Sequence, residues 1–128
     1  MNSKSQRPDV ASLVDRYFAA WNTTDAGRRR ELIAQTWSED AAYLDPLMQG
    51  EGHAGIDAML QAVQAQFAGL AFRHIGEIDA HHDCMRFSWE LAPADGAAVA
   101  GGTDFGQLSA DGRLRAVTGF IDFMPTTA

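Results

Sequence analysis

The chain is poor in the residues that would mark it for export, membranes or nucleic acid. Cys84 is its single cysteine, so no internal disulfide is possible and a reducing, cytoplasmic setting is expected. No stretch approaches the roughly 20 apolar residues that span a bilayer, so no membrane partner is expected. The opening Met1–Pro8 is polar and lacks the apolar run of a signal peptide. It reads as a disordered tail, residues 1–8, ahead of a single domain over 9–125. Basic side chains are also scarce, 10 against 17 acidic ones, for a formal charge of -7 over 128 residues. A nucleic-acid binder needs the opposite balance, because it displaces counterions with a basic surface. The one basic run, Arg28-Arg29-Arg30, stands beside Asp25 and Glu31 and reads as a solvated helix face. Phosphate-binding glycine loops are missing as well.

Hydrophobic periodicity supplies the architecture. A helix is expected from Asp9, an N-cap after Pro8, to about Asn22, with Leu13, Val14, Tyr17, Phe18 and Trp21 on one face. A second helix follows Thr24-Asp25 and turns Leu32, Ile33 and Trp37 inward. A short extended piece, Ala41–Asp45, stops at Pro46. Ile56, Met59, Leu60, Val63 and Phe67 then recur at helical spacing, ended by Gly69. From Leu70 the period becomes two, with turns at His81-His82-Asp83, Pro93–Gly96 and Ser109–Gly112. Helices grouped ahead of an antiparallel meander indicate an α+β fold with segregated layers.

Candidate chemistry concentrates in few places. On the parity of Asp104 lie Ala98, Ala100, Gly102 and Gly106. Small residues around a lone acid suit a cavity wall, and equally a solvent-facing acid on a glycine-rich edge. Tyr17 lies on the inward stripe of its helix, as core tyrosines also do. Asp45 precedes Pro46, where an Asx turn would explain it too. In the last strand Leu114, Ala116, Thr118 and Phe120 share one face, and Val117, Gly119, Ile121 and Phe123 the other. Both are largely apolar, so a homodimer through the sheet is expected. His53, His74 and the adjacent His81 and His82 have no zinc-like spacing, and no metal site is expected. Cys84 has no activating partner.

Three segments carry a resemblance. Val14–Asn22, Ser38–Pro46 with Gly55-Ile56, and Thr103–Phe105 with Asp111–Arg113 resemble the first helix, first strand and penultimate strand of the ketosteroid isomerase-like branch of the NTF2-like superfamily. The SnoaL-like polyketide cyclases share this scaffold. The resemblance implies an NTF2-like cone: three helices from the N-terminal half packed on a curved antiparallel sheet around a pocket for a small apolar ligand. It implies proton transfer next to a carbonyl without a cofactor. Tyr17 and Asp104 would donate to the developing oxyanion, and Asp45 would be the base. In a cyclase or dehydratase Asp104 would instead be the acid/base, and a non-catalytic binding or dimerisation module is a further alternative. The pocket wall is expected to include Trp21, Leu60, Phe67, His74, Phe87, Trp89, Gly102 and Phe120.

Overall fold

The computed structural model describes residues 9–125; the expected N-terminal tail, 1–8, lies outside them. Three helices, α1 (Val10–Asn22), α2 (Ala26–Thr36) and α3 (Gly52–Gln66), pack on a curved, unclosed six-stranded sheet. Its strands are β1 (Trp37–Leu44), β2 (Gln49–Glu51), β3 (Leu70–His81), β4 (Cys84–Pro93), β5 (Ala100–Leu108) and β6 (Leu114–Phe123). Their order across the sheet is β2-β1-β6-β5-β4-β3. All pairings are antiparallel except β1 with β6, which is parallel. The sheet is therefore mixed, and β2 is a strand that the periodicity does not announce: three residues are too few to show a period of two.

Local signals place the helix starts. The Asp9 carboxylate accepts from the backbone N–H groups of Ala11 and Ser12, and Asp25 accepts from that of Arg28. Both satisfy donors that the first helical turn leaves unpaired. The inward stripe of α1 is buried as expected, with Tyr17 only 1% exposed. Trp37 is fully buried but opens β1 instead of ending α2.

The arginine run departs from a solvated face. Arg28 is half exposed, whereas the Arg29 side chain is 3% exposed and pairs through Nε with Asp57 of α3 at 2.7 Å. Its guanidinium also donates to Gln64 Oε1, and the Gln64 amide donates to the carbonyls of Trp21 and Thr23. One buried cation thus joins α2 to α3 and, through Gln64, to the end of α1.

Two bulges in β6 change its faces. The register with β5 shifts between Leu108↔Leu114 and Gln107↔Ala116, and again between Gly102↔Ile121 and Gly101↔Phe123. Each extra residue reverses the alternation. Leu114 consequently joins Val117, Gly119 and Ile121 on the concave face, while Ala116, Thr118, Phe120 and Phe123 face outward.

Candidate active site

A cavity of about 340 Å³ opens between α1, α3 and the concave face of the sheet. Phe18, Phe67, Phe72, Leu91 and Ile121 make its walls apolar. Its polar groups gather around two carboxyls, Asp104 and Asp45, and among the described residues no lysine, arginine or histidine lines it. Among the described residues no three His, Cys, Asp or Glu side chains gather as metal ligands would.

Asp104 projects inward from the middle of β5 and is 3% exposed. Tyr17, one turn before Trp21 on α1, donates its hydroxyl to Asp104 Oδ2 at 2.5 Å. The Trp89 indole N–H donates to the other oxygen, Oδ1, at 3.1 Å. Burial pushes the Asp104 carboxyl up to about 6, against the pull of these two donors, and the neighbouring Asp45 charge adds to the rise. Such a group exchanges its proton close to neutrality. Tyr17 is held far above the usual phenol range by burial and then by the Asp104 charge, so it acts as a hydrogen-bond donor and does not ionise.

Gly102 explains how Trp89 reaches the acid. A Cβ at Gly102 would stand 2.5 Å from the Trp89 ring and 2.1 Å from the Phe120 carbonyl. The missing side chain lets the indole lie flat against β5 with its N–H directed along the strand to Asp104. Small residues on this parity therefore serve close packing of the wall, not open space alone.

Asp45 combines the two roles that its sequence position allowed. Its Oδ1 accepts from the backbone N–H groups of Leu47 and Met48, the Asx turn expected before a loop. Its Oδ2 accepts from the Tyr43 hydroxyl at 2.6 Å. Tyr43 is 4% exposed, lines the cavity and is the site residue that pattern reasoning passed over. The signal was present, since Tyr43 stands near the end of β1, two residues before Asp45 in the turn that follows.

The structure thus gathers Tyr17, Asp45 and Asp104, with Trp21, Phe67 and Trp89, around one cavity. The other expected wall residues are displaced from it. Leu60 is fully buried in the core beneath α3, and Phe87 is 2% exposed with its ring edge-on to Tyr17. His74 stacks on Phe18, outside the lining. Gly102 lies behind Trp89, and Phe120 faces outward because of the β6 bulges, 58% exposed.

Sequence comparison decides the family. Residues 14–117 match the SnoaL-like domain. The chain belongs to the SnoaL-like family. Within it, a crystal structure of a candidate SnoaL-like isomerase from Agrobacterium tumefaciens is similar at 47% identity and TM-score 0.84, over 88% of this chain and 97% of that one. A candidate polyketide cyclase from Sinorhizobium meliloti is 20% identical with TM-score 0.65, over 84% of this chain and 93% of that one. An NTF2-like protein from Exiguobacterium is 22% identical with TM-score 0.69, over 86% and 98%. The last two share the fold. No curated protein matches this SnoaL-like chain.

Proposed function

We propose that the cavity takes an uncharged, largely apolar carbonyl compound and that the protein moves a proton on it, with Asp104 as the acid/base. One observation carries the reading: a carboxyl buried at the polar end of an apolar cavity, gripped by Tyr17 and Trp89, with its proton affinity lifted to about 6. A general acid/base works best with a pKa near the working pH. Among the described residues no cation lines the cavity, which disfavours anionic ligands, whose charge would be desolvated without a partner. Asp45, across the polar end, would take or return the second proton of an isomerisation or cyclisation.

The ketosteroid isomerase-like variant, in which Tyr17 and Asp104 both donate to one ligand oxygen, needs Tyr17 to leave Asp104. The hydrogen bond between them favours the acid/base role, as in the cyclase-like alternative. Titration with 2-naphthol tests the site. Binding should weaken at least about tenfold, roughly 1.4 kcal/mol, in Asp104→Ala and persist in Asp45→Asn. Binding indifferent to both changes would leave a pocket whose acids are scaffold.

We also propose a homodimer through the outer face of the sheet. Phe105, Phe120 and Phe123, on β5 and β6, are 39%, 58% and 47% exposed there. The Arg73–Glu90 and Arg86–Asp79 pairs border them on β3 and β4. A two-fold axis would lay apolar half on apolar half. Sedimentation equilibrium should give a dimer for the wild type and a monomer for Phe120→Arg; a wild-type monomer refutes it.

A further inference from the structure

Tyr43 and Asp45 form a second hydroxyl–carboxyl pair facing the first. A Cβ at Gly119, in β6, would stand 2.9 Å from Asp104 Oδ1, 3.1 Å from the Tyr43 hydroxyl oxygen and 3.2 Å from Asp45 Cβ. All three atoms surround one point on the floor of the cavity, where only a glycine admits them. Asp104 Oδ1 and the Tyr43 hydroxyl are therefore no more than 6.0 Å apart, the sum of the two distances.

We infer that Tyr43 is a positioning residue of this site: its hydroxyl pins the Asp45 carboxylate beside Asp104, so that the Asp45 charge bears on the Asp104 carboxyl across Gly119. The inference rests on the proton-transfer reading in assigning Asp104 the travelling proton. The Asp45 side chain is anchored on both oxygens. Leu47 and Met48 hold Oδ1, and without the Tyr43 hydroxyl Oδ2 would be free to swing toward the mouth of the cavity. Tyr43 is itself fixed, its ring set edge-on to Trp21 at 5.3 Å.

Few other groups compete for control of Asp104. From α1 it faces Tyr17, and from β1 and the turn after it Tyr43 and Asp45. The β4 contribution is the uncharged Trp89, β6 presents bare Gly119, and α3 lines the cavity with Val63. Among the described residues Asp45 is thus the one charge that bears on Asp104 from across the cavity, and it favours the protonated acid. Burial is the larger cause of that preference, and the Asp45 charge adds to it.

The test needs no substrate. The Trp89 indole N–H bonds Asp104 directly, so its NMR resonance reports the Asp104 titration, with the Trp37 indole, which has no hydrogen-bond partner among the described residues, as an internal reference. Asp45→Asn should lower that midpoint by about 1 pH unit, the effect of removing a close like charge. Tyr43→Phe, which keeps the ring, should lower it by part of that amount. In an Asp45→Asn background Tyr43→Phe should shift it little, since a residue acting through Asp45 has nothing left to act on. An unmoved midpoint in Asp45→Asn overturns the inference, as does a Tyr43→Phe shift of equal size in both backgrounds. Absence of turnover on every ketone tried would defeat the proton-transfer reading while leaving these shifts in place.

Discussion

Truncating Arg29 to alanine is expected to remove about 3–5 kcal/mol of stability, the usual cost of breaking one side of a buried ion pair. The loss has two parts. Asp57, whose side chain is 17% exposed, keeps a carboxylate whose partner at 2.7 Å is gone. Gln64 loses the donor that orients its amide, and with it the bonds to the Trp21 and Thr23 carbonyls loosen. Trp21 lines the cavity, so the damage should reach the ligand site as well as the fold. Urea denaturation checks this, with Arg28→Ala as the control: its side chain is 54% exposed, and its change should stay within about 0.5 kcal/mol. Equal midpoints for the two variants would show that the buried pair contributes nothing beyond a surface pair.

The same arginine shows where sequence reasoning reached its limit. Three consecutive arginines beside acids look like a solvated face, because charge runs usually are. What buries Arg29 is Asp57, 28 positions away on a helix packed across α2, and no local pattern carries that partner. Capping and period-two or helical spacing are local, so the starts of α1 and α2 and the run of strands from Leu70 were legible. The fold class followed from them. The two ends of β6 were not legible, since each bulge inserts one residue without a compositional mark, and Leu114 and Phe123 change face relative to the residues between them. Phe120, expected in the wall, therefore stands on the outer face. Tyr17, Asp45 and Asp104, named through resemblance, line one cavity. The role of Gly102 as the bed for Trp89 was not legible, because it depends on the β4–β5 register opposing Trp89 to Gly102.

Asp104→Asn is the second change with a large expected effect, and it acts on chemistry and stability in opposite senses. Removing a general acid/base lowers a proton-transfer rate by about 10²–10⁴-fold. Stability should improve toward neutral pH. In the folded protein Asp104 keeps its proton up to about pH 6, against about 3.9 for an unfolded chain. The folded state therefore binds more protons between those values. Stability from this group is fully present below about pH 4 and is lost as pH rises through about 6, on the order of 3 kcal/mol in all. Asparagine cannot titrate. Urea unfolding of both proteins at pH 4 and pH 7.5 should show the wild type losing about that much relative to the variant; parallel changes would mean that Asp104 titrates normally.

The most direct measurement follows deuterium from solvent into the α-carbon of a small bicyclic ketone by NMR, with wild type and Asp104→Asn side by side. Incorporation catalysed by the wild type and reduced about 10²-fold or more in the variant is the predicted result. Equal incorporation by both proteins would place the proton transfer elsewhere, and none by either would leave the cavity a binding site.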